Sequence, residues 1–222
     1  MRTTVASGDA SPAAHHHDEA GKRERNTIRN REAILAAARE VFHDLGYGAA
    51  TVRDIVRRTD LATGTFYNYF PDKESVLRAI LEDFHSRVRA RVHETRMEAR
   101  GLEELLRSAY LTCFRLYAEE KTLVTMIARN AGELRPFSSG SALEPAIEEL
   151  ASDLRAKASE GAIPRLDNER IARTAVALAV ELGLDMLSRR PLDIEGTADF
   201  AARFMLGGIE RIGATAPADP VP

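Results

Sequence analysis

The sequence predicts an all-α protein on three observations. Apolar residues recur at helical spacing through most of the 222 residues. Stretches rich in Ala, Leu, Arg and Glu are interrupted mainly by Gly and Pro, and no segment alternates apolar and polar residues as a half-buried strand does. A hydrophobic content of 44% provides enough apolar material for a sizeable core, which excludes wholesale disorder.

Composition also excludes several classes of protein. The single cysteine, Cys113, allows neither an internal disulfide nor a thiolate zinc cage. No apolar run approaches the roughly 18 residues of a membrane helix, and the N-terminus lacks the apolar block of a secretory signal. We therefore expect a soluble, cytoplasmic protein with no membrane partner, no metal and no cofactor.

Both ends of the chain are predicted to be disordered. Residues 1–24 form a polar N-terminal arm, and residues 214–222 form a tail rich in Pro and Ala. His15, His16 and His17 lie in the arm, where three adjacent histidines on a flexible segment make only a weak metal site. We interpret them as part of a solvated tail.

Two helices are predicted to follow the arm. The first covers residues 27–45, and Gly46 supplies its left-handed exit. The second covers residues 52–58, where Thr51 and Asp54 form a T-x-x-D capping box. The apolar stripe of the first helix consists of Ile34, Ala37, Ala38, Val41, Phe42 and Leu45.

A third helix is predicted over residues 63–70 and ends at Pro71, which cannot donate a backbone hydrogen bond. The second and third helices are short, joined by a tight turn, and flanked by a longer helix on each side. This arrangement predicts a three-helix, helix-turn-helix module within residues 25–82.

The remainder of the chain, residues 83–213, is predicted to be a helical bundle entered by a long helix that begins at Lys73, with Asp72 as its cap. A stretch rich in Gly, Pro and Ser at residues 131–141 predicts a loop. The predicted helices cover residues 73–100, 102–119, 122–130, 142–159, 168–188 and 195–212.

The third helix carries the residue types that reading of double-stranded DNA requires. A helix in the major groove needs small or hydrogen-bonding side chains near its N-terminus, and here these are Thr63, Gly64, Thr65, Tyr67 and Asn68. Thr51 and Lys73 stand at two helix starts, where free N–H groups favour a phosphate. Residues 21–82 hold 11 Lys and Arg against 9 Asp and Glu, a mildly basic balance.

The stretch AILAAAREVFHDLGYGAATVRDIVRRTDLATGTFYNYFPDKESVL resembles the N-terminal domain of the TetR family of bacterial transcriptional regulators. The resemblance covers about residues 27–82 and rests on F-x-x-x-G-Y, T-V-R-D-I, G-T-F-Y-N-Y-F and P-D-K-E in the same order and at the same spacing. It implies that Arg53 reaches a base or a phosphate, that Tyr67 and Tyr69 contact the DNA backbone or a thymine methyl, and that Lys73 clamps a phosphate.

Two residues depart from the family pattern. Asp60 stands where the family usually has Gly, and it can adopt the left-handed conformation at some cost. Ala62 stands where the family usually has Ser, so either Thr63 or Asp60 is expected to cap the third helix instead. Other interpretations stay open, because Tyr67 and Tyr69 can be packing aromatics, and Arg53 and Lys73 can be solvated surface charges.

The resemblance implies that the C-terminal bundle binds a small molecule and forms a homodimer through its last two helices. Each candidate residue for the pocket or for the dimer face can also be an ordinary core residue of the protomer. The candidates for the ligand pocket are Phe84, Tyr110, Cys113, Phe114, Tyr117, Met126, Ile127 and Asn130. The candidates for the dimer face are Ala172, Ala175, Ala179, Leu182 and Met186 on one helix and Phe200, Phe204, Gly207 and Gly208 on the other.

The sequence therefore favours a ligand-responsive, sequence-specific DNA-binding regulator, expected to be a repressor that an apolar or amphipathic effector releases from a palindromic operator. An enzyme is disfavoured because the chain contains no P-loop, no G-x-S-x-G and no H-E-x-x-H. A protein-interaction module that has lost DNA binding is the third alternative.

Overall fold

The computed structural model describes residues 12–129, 143–161 and 166–215, and within these ranges the chain is helical, with no strand. Residues 130–142, which include the whole of the predicted 131–141 loop, lie outside the described residues. The helices are α1 (Pro12–Leu45), α2 (Val52–Val56), α3 (Thr63–Tyr67), α4 (Lys73–Glu98), α5 (Leu102–Glu119), α6 (Lys121–Arg129), α7 (Glu144–Ser159), α8 (Asn168–Ser188) and α9 (Ile194–Thr215).

The predicted disorder of residues 1–24 is wrong from Pro12 onwards, because α1 begins there rather than at residue 27. The added segment is polar and has no apolar stripe, so its periodicity gives no helix signal. It is nevertheless rich in Ala, Glu, Lys and Arg, which favour a helix intrinsically. At the other end, α9 continues to Thr215, so the predicted tail at 214–222 begins inside the helix.

The predicted helix caps are confirmed. Thr51 and Asp54 form the complete capping box of α2, and Asp72 accepts a hydrogen bond from the Ser75 N–H at the start of α4. Gly46 has a φ of 77° and lets the chain leave α1 in the left-handed conformation. These features are local in sequence, which is why the residue pattern identifies them.

The two helices of the helix-turn-helix are shorter than predicted, since α2 ends at Val56 and α3 at Tyr67. The last residues of each predicted helix lie instead in the segment that follows α2 or α3. Asp60 does not adopt the left-handed conformation that it can adopt at some cost, because no non-glycine residue in the described ranges has a positive φ. Ala62 itself is the N-cap of α3, with no side-chain hydrogen bond.

A continuous hydrophobic core joins the N-terminal module to the bundle. In the module, α1 packs against α2 and α4, and α3 contacts α2. In the bundle, α5 packs against α4, α8 and α9, while α7 packs against α8. The long helix α4 belongs to both parts, so it connects the helix-turn-helix directly to the interior of the bundle. None of the described helices has the length and low charge needed to cross a membrane.

Candidate nucleic-acid interface and internal cavity

The second helix of the helix-turn-helix, α3, presents a polar face to solvent. Thr63, Gly64, Tyr67 and Asn68 are exposed, and Tyr67 retains 55% of its accessible surface. Thr65 is half-buried. On the opposite face, Phe66 and Phe70 are buried in the core, and their ring centroids lie 6.2 Å apart.

The capping of α3 leaves Thr63 available for a partner. Ala62 occupies the cap position, so Thr63 is the first helical residue rather than the cap. Among the described residues, the Thr63 side chain has no hydrogen-bond partner. Arg53, on α2, is also exposed. The polar face of α3 and the Arg53 side chain thus form the solvent-facing part of the predicted DNA site.

Thr51 is less available than the sequence suggests. Its backbone N–H and its hydroxyl both donate to Asp54 Oδ2, and its hydroxyl oxygen accepts from the Asp54 N–H. The hydrogen bond from the Thr51 hydroxyl, together with the positive charge of the neighbouring Arg57 and Arg53, lowers the pKa of the Asp54 carboxyl. A carboxylate therefore already occupies the start of α2, where a phosphate was expected.

Lys73, which is predicted to clamp a phosphate, has its ammonium hydrogen-bonded within the protein. Its Nζ donates to the backbone carbonyl oxygens of Tyr47, Gly48 and Ala50 at 2.8, 3.1 and 2.8 Å. The same ammonium lies 4.6 Å from the centroid of the Tyr47 ring, within the range of a cation–π interaction. An ammonium has three N–H donors, and all three have protein acceptors here.

Tyr69 faces the N-terminal module more than solvent. It is half-buried against the core, and its hydroxyl oxygen accepts a hydrogen bond from Asn30 Nδ2 at 3.2 Å. This contact brings the middle of α1 beside the end of α3. The structure thus favours the packing interpretation for Tyr69 and leaves Tyr67 on the exposed face.

A row of exposed positive charges lies on α1 near this contact. Lys22, Arg25 and Arg29 are exposed and spaced by three and four residues, so they share one face of the helix. With the first helix predicted over residues 27–45, Lys22 and Arg25 are expected to precede it and Arg29 to lie in its first turn. Because residues 12–26 are helical, the charges form a rigid cationic row rather than a loose arm.

The bundle contains a partly open cavity of about 100 Å³ between α4, α5, α7 and α8. Four of the predicted ligand residues line it: Phe84, Tyr110, Cys113 and Tyr117. Three others do not belong to the cavity wall. Phe114 is fully buried in the core, Met126 lines clefts beside α1, and Ile127 packs against the core. Asn130 lies outside the described residues.

Most of the remaining wall is apolar and consists of residues that the sequence interpretation did not assign to the pocket, among them Val88, Val92, Leu105, Leu150 and Val176. The wall also contains His85, Arg89 and Arg96, which the sequence interpretation missed. A buried arginine cannot be distinguished from a surface arginine by its position in an otherwise polar helical stretch. The carboxylates beside Arg96 come from α7, more than 50 residues away in the sequence.

The polar groups of the cavity are held in defined charge states. Burial, with a smaller contribution from Arg89, lowers the pKa of His85, which keeps its imidazole neutral at pH 7. Burial raises the pKa of the Cys113 thiol to about 12 and raises that of the Tyr110 hydroxyl as well. The Tyr110 hydroxyl donates to the backbone carbonyl of Ala175 at 3.2 Å.

The candidates for the dimer face divide into residues buried within the protomer and residues exposed on its surface. Ala172, Ala175 and Met186 of α8 are buried inside the protomer, so they belong to its own core. Ala179 and Leu182 are half-buried. On α9, by contrast, Phe200 and Phe204 retain 58% and 62% of their accessible surface, and their rings stack 6.1 Å apart. Gly207 and Gly208 lie on the same exposed side.

Comparison with known proteins agrees with this architecture. The family model described as bacterial regulatory proteins, tetR family, matches residues 34–80. The uncharacterized HTH-type transcriptional regulator YdgC of Bacillus subtilis is 33% identical over 101 residues, which are 43% of this chain and 51% of YdgC. The HTH-type transcriptional repressor KstR of Mycobacterium tuberculosis is 28% identical over 180 residues, which are 80% of each chain.

A solved structure has the same fold. The transcriptional regulator FadR from Bacillus subtilis, in complex with stearoyl-CoA, superposes with a TM-score of 0.68 and 22% identity, over 80% of this chain and 98% of FadR. The N-terminal match and the shared helical architecture define a class, the DNA-binding regulators with a helix-turn-helix. The chain is similar to TetR-family regulators in the match at residues 34–80, over 80% of its length to KstR, and in fold to solved TetR-family structures.

Proposed function

We propose that the protein is a ligand-responsive repressor that binds a palindromic operator as a homodimer and is released by a small, mostly apolar effector. The observation that carries the proposal is the position of α4. This helix begins at Lys73, which is bonded to the turn before α2, and continues past Phe84 to Arg96 in the cavity wall. One rigid element thus contacts both the DNA-binding module and the cavity.

The route from ligand to DNA follows from this connection. A ligand shifts a conformational equilibrium only if it binds the two conformations with different affinities. An effector that fills the cavity pushes against α4, and the Lys73 hydrogen bonds transmit the displacement to the turn that precedes α2. In a dimer, the distance between the two α3 helices then no longer matches the spacing of about 34–36 Å that corresponds to one turn of DNA.

Homodimer formation is proposed through the exposed side of α9. Phe200 and Phe204 form an exposed aromatic pair, and large apolar side chains that cluster on a surface favour association. Gly207 and Gly208 follow within two turns, and a side chain added at either position meets no atom within 4 Å. A second copy of the chain can therefore pack closely against this surface. A pair related by two-fold symmetry matches the symmetry of a palindromic site.

The proposed repressor role and the proposed class of effector are supported by the similarity of this chain to known proteins. KstR, which matches 80% of this chain, is described as a repressor. FadR, which has the same fold, was crystallised with stearoyl-CoA, an amphipathic molecule. The cavity here is mostly apolar with a few polar groups, which suits a ligand of similar character. Since DNA is the partner, we expect the protein to act in the cytoplasm.

The test is a gel-shift titration with the DNA upstream of the gene that encodes this chain. A specific regulator forms a saturable complex that survives an excess of unrelated DNA, because specific binding exceeds non-specific binding by about 10³-fold or more. A complex that unrelated DNA removes at equal concentration contradicts the proposal. Small molecules that raise the melting temperature are then added to the preformed complex, and the proposal predicts that at least one of them dissociates it.

A further inference from the structure

The first helix of the protein is longer than its packing requires. It extends over Pro12–Leu45, yet every side chain at residues 22–29 is exposed, and the buried stripe between residue 21 and Leu45 begins at Ile34. Most of the stability of a helix in a protein comes from packing one of its faces against other elements. Packing within the protomer thus does not account for residues 22–29 of α1.

This exposed segment is strongly cationic. Residues 21–31 contain five Lys and Arg against one Glu, which gives a net charge of +4. Lys22, Arg25 and Arg29, the cationic row, have no ion-pair partner among the residues that the structure describes, whereas Arg58 of the same module bridges two carboxylates. Like charges three or four residues apart on a helix repel each other. The row is therefore electrostatically unfavourable in the free protein, and a line of negative charges relieves this repulsion.

The segment leaves the module beside the exposed face of α3. Asn30 Nδ2 donates to the Tyr69 hydroxyl at 3.2 Å, and the guanidinium carbon of Arg31 lies 5.4 Å from the centroid of the Phe70 ring. Tyr69 and Phe70 directly follow Asn68, the last residue of the polar face of α3. The nearest cation of the row is the residue before Asn30, so the row starts where the face proposed to read DNA ends.

We propose that the cationic row binds phosphates of the DNA backbone beside the base pairs that α3 reads, so that each protomer contacts more DNA than its helix-turn-helix covers. This inference rests on the proposed function and adds a second contact surface to it. Lys22 to Arg29 spans about 10 Å at about 1.5 Å per residue, which corresponds to about three base pairs at about 3.4 Å each. Asp18 and Glu19 precede Lys22 in the sequence, so the cationic stretch ends there.

The cationic row has a different effect on binding from that of α3. Contacts to phosphates fix the position of a protein on DNA but carry no sequence information directly. The row should therefore increase affinity for every DNA sequence and leave the preference among sequences to α3. Because the charges are held on a helix, fewer backbone conformations are lost on binding than for a disordered arm of the same composition.

The test is a triple variant of the full chain, Lys22→Gln, Arg25→Gln and Arg29→Gln. Glutamine has a helix propensity close to that of lysine and arginine, so the variant should keep α1 helical. DNA affinity is measured at several salt concentrations, on the DNA upstream of the gene and on an unrelated duplex of equal length. The matched control removes the same number of charges from exposed positions of the bundle, through Arg91→Gln, Arg100→Gln and Arg155→Gln.

The expected result is a change in salt dependence. The triple variant should flatten the slope of log affinity against log salt by about three units per bound protomer, one for each cation, on both DNAs. The ranking of operator variants should stay that of the wild type, and the control should keep the wild-type slope. A wild-type slope in the triple variant, equal flattening in the control, or an altered ranking of operators overturns the inference.

Hydroxyl-radical footprinting of the wild-type chain locates the contact. We expect about three protected base pairs at one end of each half-site, and we expect the triple variant alone to lose this protection. Arg25→Lys combined with Arg29→Lys keeps the charge and should keep both the footprint and the slope. If the triple variant fails to fold, as judged by its thermal melt, Arg25→Gln alone decides, with about one unit of slope expected.

The outcomes separate this inference from the proposed function. If the wild-type chain binds its upstream DNA specifically and the triple variant keeps the full salt slope, this inference alone is refuted. If the chain does not distinguish its upstream DNA from the unrelated duplex, but the triple variant still flattens the slope relative to the control, the proposed function alone is refuted.

Discussion

The ammonium of Lys73 lies 2.8 Å from the carbonyl oxygen of Tyr47 and 4.6 Å from the centroid of the Tyr47 ring. Lys73 is the first residue of α4, and Tyr47 lies in the turn between α1 and α2. The contact joins the helix that lines the cavity to the turn that precedes the helix-turn-helix. A lysine expected to bind DNA thus fixes the start of α4 to the turn that precedes α2.

Lys73→Met keeps the aliphatic stem and removes the ammonium, leaving the carbonyls of Tyr47, Gly48 and Ala50 without their donor. We expect the variant to lose about 1.5–3 kcal/mol of unfolding free energy, the range for hydrogen bonds to a charged group. The dependence of DNA affinity on salt should keep its slope. Chemical denaturation and DNA binding at several salt concentrations measure the two quantities.

Arg25→Ala is the matched comparison for Lys73→Met. Arg25 is exposed on the cationic row of α1, so its removal should leave stability unchanged and flatten the salt dependence by about one unit of slope if it meets a phosphate. If Lys73→Met is as stable as the wild type and flattens the slope, then Lys73 binds phosphate and the structural role is wrong.

Tyr67→Phe and Tyr69→Phe remove the same hydroxyl from two neighbouring positions with different surroundings. Tyr67 is exposed, so we expect DNA affinity to fall about fivefold with an unchanged melting temperature, as for one lost hydrogen bond of about 1 kcal/mol. Tyr69→Phe removes the acceptor of Asn30, so it should lower stability instead. Unchanged affinity in Tyr67→Phe would assign Tyr67 to packing alone.

Gly183→Ala should disturb the cavity wall. A Cβ at this position in α8 lies 2.5 Å from Cδ2 of Tyr117, closer than any real contact allows. We expect a loss of about 1–3 kcal/mol in unfolding free energy, which is typical of an overpacked core. The double variant with Tyr117→Leu is the control, because the smaller side chain relieves the clash. If Gly183→Ala lowers the free energy of unfolding by the same amount in the wild-type and Tyr117→Leu backgrounds, the contact with Tyr117 is not the cause.

Phe204→Glu should convert the homodimer to a monomer, because it places a charge in the centre of the exposed aromatic pair on α9. Sedimentation velocity at micromolar concentration measures the change. Met97→Glu is the control, since Met97 is also a large apolar residue with 67% of its surface exposed, but on α4. Gly207→Arg should act like Phe204→Glu, and a wild-type chain that sediments as a monomer would rule out the proposed dimer.

The features that the sequence predicted well are local. The Thr51 and Asp72 caps and the left-handed Gly46 depend on residues within a few positions of each other, so their spacing identifies them. The order of the helices follows in the same way from the period of the apolar residues. The start of α1 at Pro12 was missed because residues 12–26 carry helix propensity without an apolar stripe.

The features that the sequence did not predict depend on contacts between residues that are distant in the chain. Lys73 meets carbonyls 23 to 26 residues away, and Arg96 meets Asp153 at a separation of 57 residues. A lysine after a proline-containing turn gives the same local pattern whether its ammonium meets a phosphate or a carbonyl. Residues of α8 assigned to the dimer face, such as Ala172, are apolar in either role, so burial within the protomer was not predictable.

The measurement that tests the central claim most directly is a binding matrix of wild-type and Thr65→Ala protein against a set of operator variants, each with one base pair changed. If α3 reads bases, Thr65→Ala should lose its preference at one position of each half-site, worth about 1–3 kcal/mol, and keep the wild-type preferences elsewhere. Uniform weakening across all operators, or an unchanged matrix, would contradict the claim that this face of α3 reads DNA sequence.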